Sequence, residues 1–337
     1  MTKFFGFLFH VPFARSSRAK WWLVAFAVGL MAAAPVRALT IIPTFTSTDG
    51  TTTSTTIASD PNAATIEATI NTAIQTFEAD FSDPITVKIT FQEDQTIDLG
   101  ESNTFFFNIS YSSYLAALKT HESNTNNIDA LAVASLPNTS TDPVDNQTTL
   151  SVSTALSKAL GLKTFTNSDG SVSLNTSVMN LSRSSTNSSK WDLLAVTEHE
   201  IDEVLGTSSG LGTGGINPAD LWRYNSAGAR TFTTSGNAFF SLNGTTDVAQ
   251  YNQDPSGDFG DWLTPTGTLS ALVQDAFLVN GATPNLGVPE LTVLDAVGFD
   301  LDIVIPEPGT TALFVGGLAL AVAVVVRRSR RRTEARE

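Results

Sequence analysis

The residues best suited to chemistry lie in one short stretch, Thr197-Glu198-His199-Glu200-Ile201-Asp202-Glu203-Val204-Leu205-Gly206. If the stretch is helical, His199 and Glu203 stand one turn apart and both side chains can reach a single cation. Glu200 lies one residue round from His199, where its carboxylate can touch a water bound to that ion and take its proton. On a wheel of about 100° per residue, Leu194, Ile201, Val204 and Leu205 fall toward one side as a core face. Ala195, His199 and Glu203 follow on another. A His–Glu pair at this spacing is also an ordinary helix-surface contact, so the rest of the chain must decide between the two readings.

The spacing is that of the H-E-x-x-H zinc helix, with Glu203 at the second ligand position. Zn²⁺ is the expected ion; a mixed imidazole and carboxylate set also suits Mn²⁺. Asp220 is the expected third ligand because it follows the glycine-rich return after Gly206, although an aspartate there also serves as a cap or turn residue. Tyr224 is a hydrogen-bond donor within reach of an oxyanion, or simply a packed ring. His121 is the only other imidazole between residues 39 and 305. It ends a short predicted helix, where a cation complements the helix dipole. Asp254, Asp258 and Asp261, spaced by Gly and Ser, offer oxygen ligands for Ca²⁺ or form a plain turn. Two further motifs lack the context their chemistry needs. Gly206 to Gly210 matches G-x-S-x-G, but a predicted helix precedes it where a nucleophile elbow needs a strand. Gly210 to Gly215 matches G-x-G-x-x-G without a strand before it.

These residues need elements to hold them. Trp191–Leu205 is the strongest predicted helix. Asp60-Pro61 reads as an N-cap acid followed by a first-turn proline, opening a helix over 61–80 with Ile66, Ile70, Ile74 and Phe77 on its buried face. Ile85, Val87, Ile89 and Phe91 alternate as a half-buried strand. Tyr111–His121 and Ala155–Leu162 read as short helices and Ala130–Leu136 as a strand. Gly170–Met179 reads as a strand placed to align an extended substrate by main-chain pairing. Val273–Val279 and Glu290–Val297 read as helices. Residues 39–59 are a Thr/Ser-rich lead-in. With no internal repeat and no long linker, 39–305 is expected to be one α+β unit.

Composition narrows the function classes. The 337 residues carry no cysteine, which excludes disulfides, thiolate zinc fingers, cysteine nucleophiles and cysteine-ligated clusters. Charged residues make up 15%, against about 25% in an average soluble domain. The net charge of −14 understates the body's acidity. Five of the 19 Lys and Arg precede residue 39 and six lie in the tail, leaving eight against 30 acids in 39–305, a net of −22. Such a surface repels nucleic acid and anionic membrane and attracts cations.

The ends read as addresses. Arg15, Arg18 and Lys20 precede an apolar run from Trp21 to Ala34, and Val36-Arg37-Ala38 offers a small-residue cleavage site, so 1–38 is expected to be a secretory signal. Pro306-Glu307-Pro308 is followed by an apolar run from Thr310 to Val326, long enough for a short transmembrane helix. Arg327 to Arg332 then hold the end in the cytoplasm. In that order, residues 306–337 resemble a PEP-CTERM sorting tail. The resemblance implies an exported bacterial protein, an exosortase-type processing enzyme as partner, and anchoring in the inner membrane before processing. Its destination would then be the cell surface or an exopolysaccharide-rich extracellular matrix.

The body also resembles a family of exported bacterial metalloproteases whose members often carry such tails. The matching segments are Ala195–Gly206, Asp220 to Tyr224, Gly257 to Trp262 and Leu291 to Leu301. The resemblance implies a metzincin-like domain over 39–305 with a mixed sheet, an active-site helix broken at Gly206 and a loop-rich C-terminal half. It also implies a peptide or protein substrate. Glu203 and Ser209 stand where that clan's pattern has histidines, and no Met follows Met179. An anionic ligand lowers the ion's effective charge and its power to polarise water. Two functions therefore stay open: a zinc endopeptidase or weakened relative, with Glu200 as base, and a catalytically inactive surface or matrix protein of the same fold.

Overall fold

The computed structural model describes residues 39–46, 54–121, 127–264 and 272–302. The expected signal segment 1–38 and tail 306–337 lie outside them. The architecture is α+β around a mixed sheet of five strands. Strands β1 (Thr40–Thr44), β3 (Thr86–Asp94) and β7 (Gly170–Leu174) run parallel, and β4 (Gly100–Thr104) pairs antiparallel with β7 as the last strand. The short β2 (Ser54–Thr56) continues the β1 edge along the second half of β3. On β3, Val87, Ile89 and Phe91 share one face and are fully buried, as alternation requires.

Helix α1 (Ala63–Asp80) covers the sheet with Ile66, Ile70, Ala73, Ile74 and Phe77. Asp60 does not cap it: its carboxylate accepts from Asn62 N in the turn before, and the helix begins two residues later than expected. Strands β5 (Phe106–Ser110) and β6 (Thr149–Ser153) form a hairpin-like pair around α2 (Tyr111–His121) and α3 (Asn127–Ser135). The α3 segment corrects the expected strand at Ala130–Leu136. Its short apolar run suits either element; helical spacing buries Ala132 beside half-buried Ile128 while Leu131 faces out. Helix α4 (Thr154–Ala159) starts on Ser153, whose hydroxyl accepts from Leu156 N at 3.1 Å.

Strand β7 ends at Leu174, and a turn leads to β8 (Met179–Asn180), which pairs with β9 (Trp191–Asp192). Because β3 and β4 occupy both edges of β7, it has no free main-chain edge for a substrate. That overturns its expected aligning role. Helix α5 (Leu193–Asp202) follows and crosses β4. Gly100 makes the crossing possible: a Cβ there would sit 2.6 Å from Val196 Cγ1 and closer still to Glu200 Oε1.

The C-terminal half is looser. Strands β10 (Arg223–Tyr224), β11 (Phe239–Phe240) and β12 (Ala249–Gln250) make a small antiparallel sheet. Arg223 is fully buried, stacked 4.2 Å from the Tyr251 ring, and donates to Phe259 O at 2.7 Å. Residues 273–279 form turns instead of the expected helix, because their main chain is engaged elsewhere: Trp262 N donates to Gln274 O and Ala276 N to Trp262 O. Helix α6 (Val288–Val297) closes the core, held to α2 by a 3.0 Å bond from Tyr114 Oη to Val297 O. No helix among the described residues is long and apolar enough to cross a membrane.

Candidate metal centre

Helix α5 carries His199 and Glu200 and then widens into a single π turn over Glu203–Thr207. The chain leaves that turn at Gly206, with φ +147° and ψ 20°, a conformation that side-chain-bearing residues avoid. Neighbouring hydroxyls take carbonyls of the widened turn: Thr104 Oγ1 donates to Glu203 O at 3.3 Å and Ser153 Oγ to Leu205 O at 2.7 Å. The long helix expected over Trp191–Leu205 is thus a shorter helix flanked by a strand residue pair and a π turn. Such turns recur at functional sites.

His199 and Glu203 meet Asp261 of the loop between β12 and α6. His199 Nε2 lies 3.9 Å from Glu203 Oε1 and 3.7 Å from Asp261 Oδ1, and the three ligand atoms all fall within 4.8 Å of one another. Tetrahedral zinc with bonds of ~2.0–2.1 Å separates its ligands by about 3.4 Å, so a small inward movement would close the set on one ion. Glu203 and Asp261 are buried, and the His199 side chain keeps 16% exposure, enough for a solvent-side opening.

The electrostatics fit a cation. Burial alone would pull the His199 imidazole down, but Asp261, Glu200 and Glu203 outweigh it and raise it to about 10. Burial pushes Asp261 up to about 8, with Glu203 and Asp258 adding repulsion and His199 opposing it. Burial also raises Glu203, and it raises Glu200 well above the carboxylate range. The Glu200 and Glu203 carboxyls lie close enough to repel one another, which favours a proton on one of them. Three buried carboxyls cannot all ionise against one imidazolium. A divalent cation would supply charge to balance them.

Outer contacts fix the three groups. The His199 ring lies 3.0 Å through Nδ1 from the Val273 carbonyl, which leaves Nε2 facing the carboxylates. Ser102 on β4 donates to Glu203 Oε2 at 2.7 Å. Gln274 Nε2 donates to Asp261 Oδ1 at 3.1 Å, and Gln274 N and Trp262 Nε1 both donate to Glu290 Oε1 at 3.2 Å. The turns at 273–275 therefore orient the imidazole through a carbonyl and the distal carboxylate through an amide. That task explains why they are not helical.

Of the residues singled out from sequence, His199, Glu200 and Glu203 come together and Asp220 does not join them. Asp220 is fully buried, and its carboxylate accepts from Ser209 Oγ, Gly210 N at 2.8 Å and Asn217 N at 2.9 Å. It locks the return loop, and Ser209 is its partner. Tyr224 is also turned elsewhere, its ring 4.8 Å from the Arg230 guanidinium and its hydroxyl beside Ser135. Of the three aspartates considered for Ca²⁺, Asp254 caps Ser256 N at 2.9 Å, while Asp261 turns inward to His199 with Asp258 near enough to repel it. The gap in the sequence reading is the role of Asp261. Its residue type was flagged, but only the fold reveals its partner. Comparison with protein-family models, with curated proteins and with solved structures gives no match.

Proposed function

We propose that the chain is an exported metal-dependent endopeptidase with a metzincin-like catalytic domain, holding Zn²⁺ or Mn²⁺ through His199, Glu203 and Asp261. The observation that carries this reading is the convergence of one imidazole and two carboxylates beside a further carboxyl, Glu200, that is not in the set. Three protein ligands and an open side are what a catalytic site needs. An ion held there polarises a peptide carbonyl and lowers the pKa of a bound water.

Glu200 takes the water's proton and passes it to the departing amine. Its carboxyl lies against Gly100, beside Glu203. Strand β4 supports the substrate side. It flanks Glu200 and Glu203, and among the described residues no strand pairs its outer edge. An extended peptide can add there by main-chain hydrogen bonds. The terminal signals support export, tail processing by an exosortase-type enzyme and a final place at the cell surface or in the matrix.

The competing reading, an inactive binding protein of the same fold, draws on the two anionic ligands, which weaken the ion's Lewis acidity. Metal and turnover separate the two. Zinc-dialysed protein should hold zinc that His199→Ala loses, and Glu200→Gln should keep the zinc but lose cleavage of casein or a peptide library. Equal turnover by wild type and Glu200→Gln above a no-protein blank would end the catalytic reading. Failure of His199→Ala to change zinc content would end the metal assignment.

A further inference from the structure

A second cluster of one imidazole and two carboxylates is drawn from three separated parts of the chain, Asp83, His121 and Asp300. His121, the last residue of α2, places Nε2 3.4 Å from Asp83 Oδ1 and 3.6 Å from Asp300 Oδ2. Asp83 is fully buried in the connection between α1 and β3, and its Oδ1 makes no hydrogen bond. His121 Nε2 makes none either. A charge-assisted imidazolium–carboxylate bond closes to about 2.7–2.9 Å. The separations here are wider than that and match the ligand–ligand edge of about 3.3–3.4 Å in tetrahedral zinc with ~2.0–2.1 Å bonds.

The backbone builds this arrangement rigidly. Asp300 N donates to Asp83 Oδ2 at 2.9 Å, which aims the other carboxylate oxygen at the imidazole. Ser82 N donates to Asp300 O at 2.8 Å and Asp302 N to Asp80 O at 2.7 Å. Phe81 pairs with Leu301 as an antiparallel bridge, and its ring packs edge-on to Phe299 at 5.8 Å. Two of the three candidate ligands thus sit on chain segments already fastened to each other, so metal binding would cost little ordering. His121 and Asp300 keep 18% and 24% side-chain exposure, which leaves room for water as a fourth ligand.

We propose that Asp83, His121 and Asp300 form a second divalent-metal site, structural in role, with Zn²⁺ as its ion. It joins the α1–β3 connection, the end of α2 and the segment after α6 into one knot. The further carboxylate that acts on His121 is Asp129, which stands on α3 and not at the helix position next to the imidazole, as Glu200 stands next to His199. Its purpose is therefore to pin the last segment of the domain, immediately before residue 303. The proposal is independent of the endopeptidase reading.

The test uses the full chain, stripped with chelator and reloaded with Zn²⁺, with bound zinc measured by elemental analysis and unfolding by calorimetry. In a His199→Ala background about one equivalent should remain, and zinc should still raise the unfolding midpoint. Adding His121→Ala should remove both the equivalent and the zinc-dependent shift. Should that protein fail to fold, Asp300→Asn, at a half-exposed position, is the second variant and should give the same loss. If His199→Ala protein holds no zinc, or if Asp300→Asn holds as much as its parent, the triad is a plain ion pair and the proposal falls. Zinc kept by His199→Ala yet lost by Asp300→Asn would uphold this site even where the first one failed.

Discussion

The two histidine clusters use the same three functional groups and differ in everything around them. At His199, both carboxylates are buried and a further carboxyl, Glu200, crowds the set from the neighbouring position on the helix. At His121, one carboxylate is buried and one half-exposed, and the nearby segments are tied by backbone hydrogen bonds. The first cluster is assembled from a helix, a distant loop and side-chain supports, beside the outer edge of β4. The second is assembled from chain segments that already pair. A ligand set therefore does not define a catalytic centre. Under the proposed function the extra acid–base group and an accessible strand would do so, and the variants below act on those features.

The largest expected effect is at Glu200, the carboxyl that stands next to its imidazole on the same helix. Glu200→Gln should lower kcat by about 10²–10⁴-fold, the usual worth of a general base, with zinc content unchanged. A kcat within threefold of wild type would make the two clusters equivalent in kind, both structural. Next is Gly100, where the strand allows Glu200 to lie against it. In Gly100→Ala the new methyl must displace the Glu200 carboxyl or Val196, and a misplacement of ~1 Å can cost about 10²-fold in rate. The expected signature is a fall in kcat larger than any fall in zinc affinity. The reverse pattern would mean that Glu200 acts as a ligand.

The side-chain supports of the first cluster come third. Gln274→Met keeps most of the buried volume but removes the amide that orients Asp261. Zinc affinity, measured by competition with a chromogenic chelator, should fall about 10–100-fold. Unchanged affinity would remove Asp261 from the ligand set and reopen the question of the third ligand.

What the sequence made legible follows the range of the interactions involved. The buried stripe Ile66, Ile70, Ile74, Phe77 and the pairing of His199 with Glu203 are local, set by helical period within a few residues. Strand β3 and helix α2 were legible for the same reason. Ala130–Leu136 was ambiguous because a short apolar run carries no decisive period. Val273–Val279 misled because its composition suits a helix, while its carbonyls and amides serve His199, Trp262 and Glu290. Asp220 was attractive as the acid after the return loop, yet that same loop absorbs both of its oxygens. Asp261 reaches His199 only because Arg223 and Gln274 hold its loop in place, and no local pattern encodes that. The Asp83–His121–Asp300 set was unreadable for the same reason: its members come from three separated parts of the chain.

The smallest expected effect concerns Tyr224, the oxyanion candidate. If chemistry at the first cluster is confined to the β4 side, this ring on the far side of the return loop is scaffold only. Its hydroxyl lies beside Ser135, whose side chain receives Trp222 Nε1 at 3.0 Å and donates to Ala132 O at 2.9 Å, so removing the hydroxyl leaves Ser135 with its partners. The Arg230 guanidinium still stacks on a phenylalanine ring. Tyr224→Phe should therefore cost no more than about 1 kcal/mol, the net worth of one hydrogen bond, and lower Tm by no more than about 2–4 °C for a domain of this size. Both kcat and KM on a peptide substrate should stay within twofold of wild type. A tenfold fall in kcat at unchanged zinc content would show the hydroxyl reaching the reacting carbonyl after all. The contrast between the clusters would then widen, because the first would draw its chemistry from both halves of the domain.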